Sequence, residues 1–174
     1  MSREMKLIVI GGIVTVLLQV VIAPNIAIFQ VVPNFMLVYS LVIAMLLPRD
    51  SVLVLAFALG LTSDLLGYGP VGGLAFLLTL AAFAAQRLHA VFGHDTVGAP
   101  LAILIALSLV VDILYAAFLL ALSASLSPLD AFVYRALPCA LYDAVLGLIL
   151  YPLASRFIQG VQPTMKPVGP SQFR

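Results

Sequence analysis

The stretch GAPLAILIALSLVVDILYAAFLLAL, residues Gly98–Leu122, carries one charged side chain, Asp112, in a run that is otherwise almost wholly apolar. A helix of this length is about 38 Å long, whereas the hydrocarbon core of a bilayer is about 30 Å thick. The run therefore predicts a transmembrane helix with a carboxylate inside the membrane. It also sets the solvent in which the rest of the chain has to be interpreted.

The residues on either side of this run have the same apolar character. Of the 174 residues, 64% are hydrophobic and 9% are charged, whereas a soluble domain is about half apolar and a quarter charged. We predict an all-α, polytopic membrane protein with a single integral membrane domain at residues 1–158 and a disordered cytoplasmic tail at residues 159–174. Six transmembrane helices are expected, at Leu7–Ala23, Phe35–Leu47, Ser51–Leu66, Val71–Gln86, Gly98–Leu122 and Ala136–Ile158.

The distribution of Lys and Arg predicts the orientation, because these residues are enriched in cytoplasmic segments near the ends of spans. With both termini in the cytoplasm, Arg135 lies outside and the other basic residues lie inside, namely Arg3, Lys6, Arg49, Arg87, Arg156, Lys166 and Arg174. The opposite orientation inverts this ratio. The net charge of +1 at pH 7 gives no indication of a nucleic-acid partner.

The first span and the segment after it carry small and polar residues that can bring helices together. Small side chains let helices approach closely in lipid, and an amide can hydrogen-bond across the contact. The segment Ile26–Val32 is apolar but too short to cross, so we predict that it lies on or caps the extracytoplasmic end of the bundle. The candidate contact residues here are Gly12, Thr15 and Gln19 in the first span, and Pro33 and Asn34 before the second.

The turn between the third and fourth spans is rich in glycine. Gly67 and Gly72 belong to the segment GYGPVGG, in which glycine permits positive φ and close backbone packing. Gly60 and Asp64, in the span before this turn, are four residues apart and share a helix face. We therefore predict that Gly60 lets a neighbouring helix approach Asp64 within hydrogen-bonding distance.

Three acidic side chains, Asp64, Asp112 and Asp143, are predicted within spans, where an ionised carboxylate is costly unless it is paired or hydrated. All three fall in the extracytoplasmic half of the bilayer, and Arg135 is the one cation predicted near that level. Three interpretations are open: a polar core that fixes helix packing, a pathway for a cation or substrate, and a catalytic aspartate pair. We favour the first, in which each acid bonds across a helix contact.

The sequence contains no complete catalytic or metal-binding pattern. Tyr142 and Asp143 resemble the tyrosine-aspartate half of intramembrane aspartyl proteases, but the glycine-x-glycine-aspartate partner motif is absent. His89 and His94 are predicted in a solvated cytoplasmic link, without the further ligands that a closed zinc site needs. We therefore expect a protein that is not an enzyme and that uses no metal or other cofactor.

The order and spacing of several segments match a known family. The segments are LLQVVIAP (Leu17–Pro24), VPNFMLVYSLVIAMLLPR (Val32–Arg49), GLTSDLLGYGPVGG (Gly60–Gly73) and SLVVDIL (Ser108–Leu114). Through them the chain resembles the bacterial rod shape-determining MreD family. That pattern has a glutamine near the end of the first span and a proline followed by an acid or amide at the start of the second. It also has a glycine-leucine-x-x-aspartate-leucine block before a glycine-rich turn, and an aspartate in the fifth span. At Asp143 an amide would be expected more often, so no family role is assigned to that residue.

The resemblance implies a non-enzymatic scaffold of the elongasome in the bacterial inner membrane, involved in regulation of cell shape and lateral peptidoglycan synthesis. It implies direct association with the bitopic protein MreC and, through the complex, with MreB, RodA and a class B penicillin-binding transpeptidase. The implied fold is a bundle similar to the substrate-binding subunits of energy-coupling-factor transporters. That similarity keeps an alternative function open, a small-molecule, vitamin-like binding subunit of a transporter.

Overall fold

The computed structural model describes residues 3–27, 32–67, 70–92, 98–122 and 137–159. These residues form six α-helices and one short 3-10 turn, so the prediction of an all-α protein is confirmed for the described part of the chain. The helices are α1 (Arg3–Val21), α2 (Phe35–Leu46), α3 (Asp50–Leu66), α4 (Gly73–Phe92), α5 (Gly98–Leu122) and α6 (Leu137–Gln159), and the 3-10 turn is Ala23–Ile26.

Helix α2 is the centre of the bundle. All of its residues from Phe35 to Met45 are buried, and it contacts α1, α3, α4, α5 and α6. Because protein surrounds this helix, its sequence is apolar on every face and has no polar stripe. The outer helices instead expose large apolar side chains, such as Ile13 of α1 and Ile149 of α6.

The ends of α2 follow from local sequence. At the start, Asn34 Oδ1 accepts the N–H of Leu37 at 3.0 Å, which is the usual arrangement of an N-cap residue. At the end, Pro48 cannot continue the helix. Asp50 then begins α3, where its negative charge suits the partial positive charge of a helix N-terminus. The short turn makes α2 and α3 antiparallel neighbours.

The bounds of α4 differ from the prediction. The predicted span Val71–Gln86 is observed as a helix over Gly73–Phe92. His89, predicted in a solvated link, instead lies in the last turn of α4 and is half-buried. That prediction was wrong because no proline or glycine interrupts the sequence after Gln86, so the helix continues past the first charged residue. His94 lies outside the described residues.

Helix length distinguishes the helices that can cross a membrane alone. Within the described residues, Gly73–Phe92, Gly98–Ala121 and Pro138–Ile158 are long and apolar enough to do so. The segments Met5–Val21 and Phe35–Leu46 are shorter apolar helices. The 12 residues of α2 rise by only about 18 Å. The chain is therefore a helical membrane protein, although helix length alone does not give all six predicted crossings.

The start of α1 and the ends of α2, α4 and α6 lie at the same end of the bundle. The Gln86 side chain donates to the Arg49 carbonyl at 3.3 Å, and Leu7, Leu47 and Ile158 line one groove. We call this the basic end, because it carries Lys6, Arg49, Arg87 and Arg156. The opposite end, called the far end, holds the end of α1, the start of α2 and the turn from α3 to α4.

Candidate functional site

Gln19 joins the end of α1 to the start of α2 at the far end. Its Nε2 donates to the Pro33 carbonyl at 3.1 Å, and its Oε1 accepts the N–H of Phe35 at 2.8 Å. Both ends of the amide are thus used, and the Phe35 N–H is one of the groups that the start of a helix leaves without an intrahelical partner. Gln19 fixes the point at which the chain enters α2.

Asn34 is held by a second helix as well. While its side chain caps α2, its backbone N–H donates to Asp143 Oδ1 at 2.8 Å. Asp143 belongs to α6 and is 0% exposed. The structure therefore brings four predicted residues to one place, namely Gln19, Pro33, Asn34 and Asp143.

Two polar side chains of α5 accompany Asp143. Asp112 is close enough for its charge to act on Asp143. Ser108 lies one turn before Asp112 on the same face and is 0% exposed. Within the described residues, Ser108 Oγ, Asp112 Oδ2 and Asp143 Oδ2 are buried atoms without a hydrogen-bond partner. We call these three side chains the oxygen cluster.

Asp64 caps α4 from the end of α3. Its Oδ2 accepts the N–H groups of Gly72 at 2.9 Å and Ala75 at 3.1 Å, and its Oδ1 accepts the N–H of Leu74 at 3.1 Å. The start of a helix has free N–H groups and a partial positive charge, and a carboxylate satisfies both. Asp64 is 2% exposed, so it acts as a buried bridge between two helices.

The backbone at Gly60 and Gly72 makes this cap possible. A Cβ on Gly60 would lie 2.5 Å from the Cα of Ala75, so a larger residue would push α4 away from α3. Gly72 has φ of +96°, in the left-handed region that favours glycine. Gly67 ends α3, and its N–H donates to the Ser63 carbonyl at 2.9 Å.

Gly12 and Thr15 occupy a different part of α1. A Cβ on Gly12 would lie 3.3 Å from Leu55 Cδ1, so this face packs against α3. Thr15 is buried, but its Oγ1 donates to the Gly11 carbonyl at 2.8 Å within α1. Of the predicted stripe, Gln19 is thus the residue whose side chain bonds to another helix.

The chain connection between α1 and α2 includes the predicted cap and is bound by residues of α6. Arg135 lies outside the described residues, as do residues 28–31 of the predicted cap Ile26–Val32. The Tyr142 hydroxyl donates to the Ile26 carbonyl at 2.6 Å. Tyr142 and Asp143 therefore both bind backbone groups of this connection, and each holds α6 against it.

The oxygen cluster contains oxygen atoms that accept no hydrogen bond, unlike the side-chain oxygens of Asp64 and Gln19. The oxygens of Asp64 and Gln19 accept backbone N–H groups, whereas two carboxylate oxygens and a hydroxyl remain available in the cluster. Such atoms accept protons or hard cations. No group of three His, Cys, Asp or Glu side chains that could hold a metal ion together occurs among the described residues.

One comparison with known proteins assigns the family. The sequence model described as rod shape-determining protein MreD matches residues 3–161 of the chain. The chain belongs to the MreD family. Membership gives it a role in rod shape determination, as a shape-determining structural membrane protein. No curated protein and no solved structure gives a significant match.

This member of the MreD family also has an apolar groove of about 470 Å³ at the basic end. Helices α1 and α6 form its two walls and α2 forms its floor. Several wall residues are exposed, including Ile10 at 56% and Leu153 at 50%, so the groove is open to the surroundings. None of its lining residues is an acid, and the polar side chains in its lining are those of Thr15 and Tyr39. The groove is therefore separate from the acidic sites of this MreD chain.

Tyr39 links α2 to α1 in this MreD chain, although none of the sequence patterns described above gives it a role. Its hydroxyl donates to the Ile8 carbonyl at 2.8 Å, and a Cβ on Gly11 would lie 2.9 Å from Tyr39 Cζ. Gly11, rather than Gly12, thus makes the closer contact. A lone tyrosine within an apolar helix was the available signal, because a buried hydroxyl needs an acceptor.

Proposed function

We propose that the chain is a non-enzymatic membrane scaffold of the elongasome, which supports lateral peptidoglycan synthesis by associating directly with MreC. Through MreC it joins a complex with MreB, RodA and a class B penicillin-binding transpeptidase. The observation that carries the proposal is the use of Gln19, Asn34 and Asp64, whose side chains bind backbone groups at helix ends. Polar groups used in this way fix the arrangement of the helices and so the outer apolar surface that partners meet.

The same proposal gives a role to each candidate residue. They are structural anchors or partner contacts: Gly12, Thr15, Gln19, Pro33, Asn34, Gly60, Asp64, Gly67, Gly72, Asp112, Arg135 and Asp143. Support comes from the bonds of Gln19, Asn34, Asp64 and Asp143 to neighbouring helix ends. In this proposal none of these residues is catalytic.

We further propose that the chain crosses the bacterial inner membrane six times, as one domain over residues 1–158, with both termini and the tail at residues 159–174 in the cytoplasm. Support comes from the basic end, where Lys6, Arg49, Arg87 and Arg156 meet. Cytoplasmic segments are enriched in such residues. The short α2 then crosses as part of the bundle, with its ends at polar residues below the membrane surface.

Cysteine labelling tests this orientation. In a background without Cys139, Tyr68→Cys is expected to react with an impermeant thiol reagent in intact cells, because the turn from α3 to α4 then faces outward. Asp50→Cys is expected to react only after permeabilisation. Labelling of Asp50→Cys and not of Tyr68→Cys in intact cells would contradict the orientation.

The groove at the basic end is the surface that we assign to the single transmembrane helix of MreC. Its lining is apolar apart from Thr15 and Tyr39, whose hydroxyls donate to backbone carbonyls. Large side chains of a partner helix can fill it. Association in lipid depends on such close packing, since burial from lipid gives no hydrophobic gain. A docked helix would contact α1, α2 and α6 together.

Leu153→Trp should fill part of the groove and reduce the amount of MreC that co-purifies with the chain in mild detergent by about fivefold or more, which corresponds to about 1 kcal/mol. The matched control is Leu148→Trp, because Leu148 is 55% exposed on the same helix but does not line the groove. In a rod-shaped cell, Leu153→Trp should also cause rounding. Loss of MreC from both variants, or from neither, would contradict this assignment.

The alternative is a small-molecule, vitamin-like binding subunit of a transporter, built on a bundle similar to those of energy-coupling-factor systems. The groove offers such a ligand an apolar surface, and its two hydroxyls, of Thr15 and Tyr39, already donate to backbone carbonyls. Ligand sites normally combine an apolar lining with polar groups that orient the ligand. Gene neighbours separate the two functions. Genes for MreB and MreC beside this one favour the scaffold, whereas genes for an ATPase and a coupling subunit favour the transporter.

A further inference from the structure

The scaffold described above uses Asp143 Oδ1, but three other oxygen atoms of the cluster between α5 and α6 remain without hydrogen-bond partners. We propose that Ser108, Asp112 and Asp143 bind one monovalent cation, either H⁺ or Na⁺. Three buried oxygen atoms without hydrogen-bond partners carry the proposal, one from each side chain. Both cations carry a single positive charge and bind to oxygen atoms, and the experiment below distinguishes them.

Charge is the first argument for a ligand. Two carboxylates that interact inside a bilayer cannot both remain ionised without a counter-charge, because the low dielectric strengthens their repulsion. The helices packed against the cluster place no cation beside it among the described residues. A single bound cation lowers the combined charge from −2 to −1.

The remaining negative charge has a defined location. Asp143 Oδ1 accepts the N–H of Asn34 at 2.8 Å, at the start of α2. A backbone donor and the partial positive end of a helix both favour an ionised carboxylate there. Asp112 belongs to the middle of α5, far from either end of that helix, and its Oδ2 accepts no backbone N–H. The two acids are therefore unlike, and Asp112 is the one that needs the cation.

Ser108 is the second, independent indication. Four other hydroxyls of the described helices donate to the carbonyl four residues earlier, namely those of Thr15, Ser40, Thr62 and Thr79. Ser108 is 0% exposed, yet its Oγ has no partner. A buried hydroxyl that makes no bond costs free energy, so a ligand or an acceptor is expected beside it. Because Ser108 lies one turn before Asp112 on the same helix face, its hydroxyl can bind the same cation.

The ligand class follows from the donor set. Two carboxylates and a hydroxyl supply hard oxygen atoms, which suit H⁺ or Na⁺ rather than a soft metal ion. A calcium ion takes six to eight oxygen ligands in general, and magnesium retains several waters. Three buried oxygens between two apolar helices fit neither requirement.

Other ionisable groups on the helices around the cluster are either engaged or distant. The hydroxyls of Tyr39 and Tyr142 donate to backbone carbonyls. The charged or basic residues of α4 and α6 lie toward the basic end, namely Arg87, His89 and Arg156. The other ionisable side chains of α5 and α6 are uncharged at neutral pH in their ordinary form, namely Tyr115, Cys139 and Tyr151.

Thermal unfolding tests the proposal. The full chain in nanodiscs of zwitterionic lipid is melted by far-UV circular dichroism between about pH 5 and pH 9, in choline chloride or in sodium chloride at equal ionic strength. A proton bound by the native state and not by the unfolded chain gives a stability that falls as the pH rises. We expect the apparent Tm in choline to fall by at least about 3 °C across this range. If sodium restores the Tm at high pH the ligand is Na⁺, and if it does not the ligand is H⁺.

Variants assign the effect to the cluster. The double variant Asp112→Asn, Asp143→Asn needs no counter-charge, so its Tm should depend on neither pH nor sodium. If the double variant does not fold, Asp112→Asn alone is used, and the same result is expected. Ser108→Ala should shift the pH midpoint of the Tm change by about one unit, or raise the sodium concentration at half-effect about tenfold. This is the loss expected for one hydrogen bond. Asp50→Asn, at an exposed carboxylate, should retain the wild-type dependence.

Three results would overturn the proposal. The first is a wild-type Tm that ignores pH and sodium. The second is a dependence that persists unchanged in Asp112→Asn. The third is that Arg135→Gln both removes the dependence and unfolds the chain at all pH values. That result would mean that Arg135 neutralises the acids in the wild-type chain. Scaffold function is scored separately with Ser108→Ala, because Ser108 is not one of the scaffold residues and this variant should still co-purify with MreC.

Discussion

Gly60→Ala is expected to remove most of the folded protein from membranes. The new Cβ would lie 2.5 Å from Ala75 Cα, 2.8 Å from Ala75 N and 2.8 Å from Leu74 O. These are backbone atoms, so relief requires α3 and α4 to separate rather than a side chain to rotate. Overpacking generally costs about 1–3 kcal/mol and occasionally more. We expect the upper part of this range, since separation would also break the cap that Asp64 places on α4.

Two other glycines provide matched controls for this effect. A Cβ on Gly147 would lie 2.6 Å from the methyl groups of Leu104, and one on Gly98 would meet nothing within 4 Å. The amount of monodisperse protein after mild detergent extraction, measured by size-exclusion chromatography of a fluorescent fusion, should thus be lowest for Gly60→Ala. It should be intermediate for Gly147→Ala and unchanged for Gly98→Ala. Equal yields for Gly60→Ala and Gly98→Ala would show that α3 and α4 do not pack as described.

Asp64→Leu is expected to have the next largest effect. It leaves the N–H groups of Gly72, Leu74 and Ala75 without an acceptor, and a buried unsatisfied group costs about 1–3 kcal/mol. Water at the membrane surface can replace part of this loss, so a total of about 2–4 kcal/mol is expected. Asp64→Asn retains one side-chain oxygen but turns an N–H₂ group toward at least one N–H donor. The free energy of unfolding of Asp64→Asn should be lower than that of the wild type by about 1–2 kcal/mol, the range for a lost helix cap.

The order of the Asp64 variants separates a structural residue from a functional one. Unfolding in SDS at constant lipid should rank wild type above Asp64→Asn and Asp64→Asn above Asp64→Leu. Thr62→Val is a suitable control, because the Thr62 hydroxyl donates within its own helix to the Ala58 carbonyl. If Asp64→Leu folded as well as wild type but failed to support rod shape, Asp64 would instead belong to a functional site.

Helix positions could be predicted largely from the sequence. Pro48 and the glycine-rich turn before α4 interrupt apolar runs, and α2, α3 and α5 begin and end within a residue or two of the predicted bounds. Helix α4 continues to Phe92, beyond the predicted span end at Gln86, because no proline or glycine follows Arg87 before Phe92. A charged residue can end a membrane crossing without ending a helix.

Contacts between helices could be predicted only in part. Helical spacing placed Gly60 and Asp64 on one face, but it could not identify the three N–H groups that Asp64 binds. The bond from Asn34 N to Asp143 joins residues 109 positions apart, and no single-helix periodicity contains that information. Likewise, Ser108 and Asp112 share a face in sequence, whereas their position beside Asp143 depends on how α5 packs on α6.

The shortness of α2 has a consequence for biogenesis. A helix of 12 residues is too short to be stable in lipid by itself, since a crossing needs about 20. Its polar ends would meet hydrocarbon until Gln19 and Asp143 supplied partners, and Asp143 is synthesised near the end of the chain. We therefore expect α2 to reach its final depth only after α6 has entered the membrane. A ribosome that has released only the first half of this protein has not yet made a bundle, and quality-control proteases would meet α2 in that interval.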